Sequence, residues 1–279
     1  MNVKTGICNF CVPGTGIFAP KFVSEAGLDG MSIEFGLYDN RYPTATKQVM
    51  DAYLEAKEQY SIEYANVGCS CFDFIPFCAH KGQAMYDVVQ NTIRLAVDTA
   101  AYMGIPMVFI PGFWESSIEQ SKDSFDNTVE MFKYACAYAN DKGILISSEN
   151  NLKPQRMKEL YEKVDFPNFS LFYDSYNYFY QRGLDQLEIL KGVYPYLGPQ
   201  LHAKDGKPGV LAGSLLGEGD ANFYGVIDFL KEKNYSGWII LENLYEKQPT
   251  NTFETDVFEL FTKDVAILKN AIKETANVH

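Results

Sequence analysis

Histidine is scarce in this chain, with 3 in 279 residues, and tryptophan is scarcer still at 2. A site built from several imidazoles, such as a cluster of zinc ions, is therefore excluded, and each histidine has to be weighed singly. Positive charge is also short: 24 lysines and arginines against 36 aspartates and glutamates leave a net charge of −12. Affinity for a phosphate backbone comes mainly from basic side chains displacing counterions, so the deficit argues against nucleic acid as a partner. Long apolar runs are missing as well. Stretches such as 107–114 fall far short of the ~20 residues that span a bilayer, and Met1-Asn2-Val3-Lys4-Thr5-Gly6 is not the start of a signal peptide. These absences imply a soluble, cytoplasmic protein with no membrane partner. Cysteines, 6 in all, are too few for a disulfide scaffold at this length and are expected to stay reduced. Cys8, Cys11, Cys69, Cys71 and Cys78 form close pairs, but without the glycines of a zinc knuckle they read as small buried residues.

What is present is 47% hydrophobic residues in a regular strand-then-helix rhythm, uninterrupted by any low-complexity linker. That predicts one domain over residues 1–279. Strands are expected at Val3–Phe10, Met31–Phe35, Ile62–Val67, Pro106–Ile110, Ile144–Glu149, Phe169–Asp174, Pro199–Ala203 and Trp238–Glu242. Between and after them, helical spacing covers Pro20–Ala26, Thr44–Gln59, Lys81–Met103, Ser124–Asp141, Gln155–Lys163, Leu184–Lys191, Asn222–Lys233 and Glu254–Lys273. Eight such units predict an α/β fold of the (β/α)8 TIM-barrel type. A doubly wound open sheet fits less well, because the first strand is not followed by a nucleotide-binding glycine fingerprint.

Four apolar runs in the second half end in a polar residue at the same end: Glu149, Asp174, His202 and Glu242. In a barrel, the C-terminal ends of the strands converge on the axis, so these four would line one half of the mouth. A lone carboxylate at a strand end is usually a cap or a surface charge. Four on consecutive strands are better explained by a shared cation, because unpaired carboxylates crowded there would be costly. Three carboxylates and one imidazole form an oxygen-rich set suited to one divalent metal ion, Mn²⁺ first, with Mg²⁺, Co²⁺ or Zn²⁺ as alternatives. Lys204 lies two residues after His202 and so points to the same side of an extended strand, toward a substrate oxygen or a carboxylate. Glu34, ending the second strand, and Asn66, in the third, are candidates to contact substrate hydroxyls.

The contexts Ser-Ser-Glu149-Asn, Asp174-Ser-Tyr-Asn, His202-Ala-Lys-Asp and Ile-Leu-Glu242-Asn resemble, in order, the metal ligands of xylose isomerase-like barrels in the sugar phosphate isomerase/epimerase superfamily. The segment from Gly217 to Phe223, followed by Phe229-Leu230 and Tyr235-Ser-Gly-Trp238, resembles the stretch joining the last two strands of that family. The ketose 3-epimerases are the nearest chemical model. The resemblance implies a metal-dependent sugar or polyol isomerase or epimerase, commonly a dimer or tetramer, in which Glu149 and Glu242 act as the acid/base pair through a metal-stabilised enediolate. It also places Trp114 against the substrate as an aromatic platform and Asn177 near a substrate oxygen. Where epimerases of this type carry a histidine three residues after the aspartate and an arginine six after the histidine, this chain has Asn177 and Pro208. A metal-dependent lyase or dehydratase acting on a keto-inositol or keto-glycoside, as in C-glycoside deglycosidases, is the alternative, because the aromatic run Phe172–Tyr180 would suit a bulky aglycone. Endonucleases of the same barrel type need more histidines than His80 and His279 supply.

Overall fold

A computed structural model describes residues 1–121, 123–246 and 254–273; His279 lies outside them. Eight parallel strands close into a barrel in chain order. They are β1 (Asn2–Cys8), β2 (Gly30–Glu34), β3 (Glu63–Gly68), β4 (Met107–Pro111), β5 (Leu145–Glu149), β6 (Phe169–Asp174), β7 (Leu197–Ala203) and β8 (Ser236–Leu241). Helices α1 (Ala19–Glu25), α2 (Lys47–Tyr60), α3 (Tyr86–Met103), α4 (Ser124–Asn140), α5 (Pro154–Val164), α6 (Asn177–Arg182), α7 (Gln186–Val193), α8 (Phe223–Glu232) and α9 (Val257–Lys273) pack outside. Among the described residues no helix is long and apolar enough to cross a membrane. The expected barrel is therefore present, with strand and helix ends moved by a few residues.

The barrel interior is filled in levels, because alternate residues of each strand point inward. At the bottom, Trp238 fills the axis, and Gly30 leaves the room: a Cβ there would meet the indole at 2.9 Å and the Glu63 carbonyl closer still. Above it lies a polar level, where Asn66 Nδ2 donates to Gln200 Oε1 at 2.6 Å, Ser32 donates to Asn66 Oδ1, and Gln200 Nε2 donates to the Ala65 carbonyl at 2.7 Å. Phe109 and Phe172 stack above that, with ring centroids 5.0 Å apart, and form the floor of the mouth.

Two elements depart from expectation. The aromatic run after β6 begins an extra helix, α6, because Asp174 Oδ1 accepts from the backbone N–H groups of Tyr176 at 2.8 Å and Asn177 at 2.6 Å and so turns the chain; Gly183, at φ 62°, ends it. Tyr173, Tyr176 and Tyr178 are completely buried in this packing, so these tyrosines build core and not an open pocket wall. Helix α3 begins at Tyr86, five residues later than its apolar spacing suggests, because residues 81–85 are taken up by turns.

Candidate metal centre and active site

Strand β7 carries Gln200 and His202 inward, and Lys204 follows just past its end. The alternation places Gln200 in the polar level, His202 on the aromatic floor and Lys204 at the mouth. The imidazole is fully buried, edge-on to Phe172 at 4.5 Å and Phe109 at 5.2 Å between centroids. Its Nε2 faces Cys8 Sγ at 3.4 Å, and its Nδ1 looks up at three carboxylates. Glu242 Oε2 lies 3.1 Å away, Glu149 Oε1 3.3 Å and Asp174 Oδ2 3.9 Å. Glu149 and Asp174 are the last residues of β5 and β6, and Glu242 follows the last residue of β8. One ligand atom from each of the four residues lies within 4.8 Å of those from the others.

Lys204 supplies the positive charge in this group. Its Nζ donates to Glu242 Oε2 at 2.5 Å and lies 3.2 Å from Asp174 Oδ2. Burial opposes its charge, but Asp174, Glu242 and Glu149 hold the ammonium well above the usual lysine range. Burial likewise opposes ionisation of Glu242, and Lys204 and His202 overcome it, keeping that carboxyl well below the usual carboxylate range. Asp174 goes the other way: burial, reinforced by Glu242 and Glu149, outweighs Lys204 and pushes it up to about 7. For His202, burial favours the neutral ring, but Cys8 and the surrounding carboxylates push it well above its ordinary value.

A divalent cation suits this arrangement on two observations. Asp174 Oδ2 is buried and, although the Lys204 ammonium lies 3.2 Å away, accepts no well-aligned hydrogen bond, where a buried carboxylate oxygen is normally satisfied. With His202 neutral, as a metal-ligating imidazole is, three ionised carboxylates against one ammonium also leave two formal negative charges, which one divalent ion neutralises. Glu149, Asp174, Glu242 and the Nδ1 of His202 are the donors that would hold it, and three oxygens with one imidazole nitrogen is a hard ligand set.

The other expected site residues are spread more widely. Asn177 Nδ2 donates to Glu149 Oε1 at 3.2 Å, so it joins the centre by orienting a glutamate. Glu34 sits on the β2 side, its Oε2 accepting from Ser70 Oγ at 2.7 Å and its Oε1 from Gly36 N–H at 3.2 Å. Burial, against those two hydrogen bonds, pushes Glu34 up to about 7. Trp114 stands on the rim after β4, 66% exposed and at φ 44°, without touching the four converging residues in a described ring or hydrogen-bond contact. Asn66 is corrected in position. It faces inward as expected, but it lies in the polar level beneath the floor with both ends of its amide engaged, so it does not reach the mouth.

Two residues at the site carried no legible signal of that kind. Cys8, by sequence a small buried residue, hydrogen-bonds His202; its place at the end of β1 is the available clue. Its thiol is pushed up to about 11 by burial. Asp73 lies in the turn Ser70–Asp73 after β3, with Oδ1 buried and accepting no hydrogen bond. Asp205, next to Lys204, has a supporting role: its carboxylate accepts from the N–H groups of Gly206, Gly217 and Ala221 at 2.8–2.9 Å and Gly219 at 3.3 Å, holding the loop between β7 and α8.

Residues 20–262 match the family model described as xylose isomerase-like TIM barrel. The chain belongs to that family. Among relatives of this xylose isomerase-like barrel, a 2-epi-5-epi-valiolone 7-phosphate 2-epimerase of Actinoplanes sp. is 28% identical over 225 residues, covering 78% of each chain. Solved barrels of the same shape include D-psicose 3-epimerase of Clostridium cellulolyticum H10, with a TM-score of 0.78 at 12% identity over 98% of this chain and all of that one. The 3-keto-D-glucoside 4-epimerase of E. coli superposes with a TM-score of 0.76 at 13% identity, covering 96% of this chain and 100% of the other.

Proposed function

We propose that the protein is a divalent-metal-dependent epimerase or isomerase that moves a proton on the carbon next to the carbonyl of a hydroxylated ketone, a sugar or a cyclitol. The observation that carries this reading is the convergence of Glu149, Asp174, His202 and Glu242 within 4.8 Å over a buried aromatic floor. The Actinoplanes relative supports the substrate class, since its name denotes a phosphorylated ketone inverted at one carbon.

Glu149, Asp174, His202 and Glu242 would hold a divalent cation, Mn²⁺ for preference, which when bound would supply the positive charge that makes a C–H next to a carbonyl more acidic. Glu149 and Glu242 project from β5 and from the end of β8, so they reach a bound ketone from two directions. One carboxylate oxygen takes the proton from the carbon, and the electron pair left behind delocalises onto the substrate's carbonyl oxygen as an enediolate. The other carboxyl, entering in its protonated form, then gives that proton to the opposite face, inverting the centre, or to the adjacent carbon while the neighbouring hydroxyl proton passes to the former carbonyl oxygen, moving the carbonyl. Glu242, held ionised by Lys204 and His202, suits the proton-taking role. Asn177 fixes the Glu149 side of the pair and Lys204 the Glu242 side. Phe109 and Phe172 close the mouth from below and exclude water from the imidazole.

The test is solvent deuterium exchange into D-psicose, D-tagatose, keto-inositols and 3-keto-glycosides by Mn²⁺-loaded protein, with Glu149→Gln as control. Exchange next to the carbonyl, with appearance of a stereoisomer or a shifted carbonyl and a loss of at least ~10²-fold in the control, is expected. Exchange accompanied by loss of water or an aglycone would move the activity to a lyase. No exchange on any of these compounds by protein that binds Mn²⁺ would remove the proposed substrate class.

A further inference from the structure

We propose that Asp73 is a substrate-contacting carboxylate that accepts a free hydroxyl on the β2–β3 side of the mouth, so that this end of the substrate is a neutral polyol and not a phosphate. The identity of the ligand rests on the reading above; the unpaired placement of the Asp73 carboxylate does not.

The turn that carries Asp73 is held from both sides. Ser70, at its start, donates to Glu34 Oε2 at 2.7 Å. From the β4 loop, Ser116 reaches across: its Oγ lies 2.5 Å from the Phe72 carbonyl and 2.8 Å from that of Ile75, and it accepts from Phe77 N–H at 2.7 Å. With the residues on either side of it tied down, the backbone that carries Asp73 is fixed in place.

Its position is nevertheless unfavourable for the protein alone. Oδ1 is buried without a hydrogen-bond donor, and Glu149, Glu242 and Glu34 all repel its charge, with Lys204 the one opposing cation in that set. Burial first, and those carboxylates next, push Asp73 up to about 7. A buried carboxylate oxygen left without a donor, in the turn that follows β3 at the mouth end of the barrel, is placed for a hydrogen-bond donor that binds there. A hydroxyl donates the missing hydrogen bond and adds no charge. A phosphate would bring further negative charge against Asp73 and Glu34, and the turn 70–73 contains no basic residue to meet it.

The experiment compares wild type with Asp73→Asn and Asp73→Ala by two readouts. In metal-free protein at pH 8, Asp73→Asn is expected to raise Tm by about 2 °C or more, since it removes a repelled charge while keeping the shape. A Tm that is unchanged or lower would mean that the carboxylate has a structural partner, and the proposal fails. In Mn²⁺-loaded protein, both variants are expected to lower deuterium exchange into D-fructose by about 10-fold or more, and to narrow the preference for D-fructose over its 6-phosphate. Unchanged exchange, or a wild type that prefers the 6-phosphate, overturns the proposal. If wild type binds Mn²⁺ yet exchanges neither sugar, the two variants are compared on whichever ketone of the panel above does exchange, and exchange there equal to wild type overturns the proposal; exchange of none of them removes the proposed reaction and this contact with it, whatever the Tm comparison gives.

Discussion

Lys204 sets how much negative charge the mouth holds before any cation arrives. Its ammonium is 4% exposed and stands between Glu242 and Asp174. Replacing it in Lys204→Met keeps an unbranched apolar stem, removes the ammonium and leaves two carboxylates facing each other. Breaking one partner out of a buried ion pair costs about 3–5 kcal/mol, so the metal-free variant should be less stable by that order. Mn²⁺ should recover more stability in the variant than in wild type, because the ion replaces the lost charge. Denaturant unfolding with chelator and with Mn²⁺ measures both; a variant as stable as wild type in chelator would show that Lys204 is not the internal counter-charge. Glu149, Asp174, His202, Glu242 and Lys204 were legible in the sequence because each sits at or just beyond the end of an apolar run. Asn66 shows what period two leaves open: alternation tells which face a residue takes but not its height, and barrel stagger put Asn66 a level too low. Asp73 was illegible because turns have no periodicity to betray which way a side chain points.

At the scale of elements, the mouth depends on loops that are tied to the barrel by buried aspartates. Asp205 gathers four backbone N–H groups from the loop 206–221, and Asp264 on α9 accepts from Leu216 N–H at 2.8 Å, Asn243 Nδ2 at 2.8 Å and the Tyr245 hydroxyl at 3.0 Å. The loops after β7 and β8 are thereby fixed to the last helix, on the side where Lys204 and Glu242 must meet. Hydrogen bonds to a charged acceptor contribute about 1.5–3 kcal/mol each, and orphaned buried donors are costly. Asp205→Ala should therefore cost about 3 kcal/mol or more in stability and speed amide hydrogen exchange between Gly206 and Asn222. Protection in that loop equal to wild type would show that it is held by packing alone. The resemblance in Gly217–Phe223 was readable as a motif, but its physical reason, a loop wound around one carboxylate, emerges only in three dimensions. Helix α6 was missed for a related reason: an aromatic run reads as wall or core, while the Asx turn that starts the helix depends on where Asp174 points.

For the molecule as a whole, the alternation of eight strand–helix units was enough to predict a closed barrel, and closure is what concentrates the acidic residues. Its consequence is a stability that should run downhill with pH when no metal is bound. Glu34, Asp73 and Asp174 are each pushed up to about 7, from ordinary values of 4.5, 3.8 and 3.8. Between about pH 4 and pH 7 the folded chain thus binds more protons than the unfolded one, and stability falls as pH rises through that window. Glu242 has the opposite sign, held below its ordinary 4.5, so its contribution is present above that value and is lost only in acid. A divalent cation reverses the slope, because it needs its carboxylates deprotonated and binds more tightly as they ionise. Ligand at ~100 times its Kd adds about 2.7 kcal/mol to the folded state, which for a chain of this size is a rise in Tm of about 5 °C or more. The expected result is a Tm in chelator that drops by several degrees from pH 5.5 to pH 8, and a gap between Mn²⁺-loaded and metal-free protein that widens over the same range. A gap that is constant with pH, or that narrows, would mean that the cation is not held by these carboxylates. In Asp73→Asn the metal-free slope should flatten while the Mn²⁺ gap persists, since Asp73 contributes to the charge crowding without being one of the four converging residues.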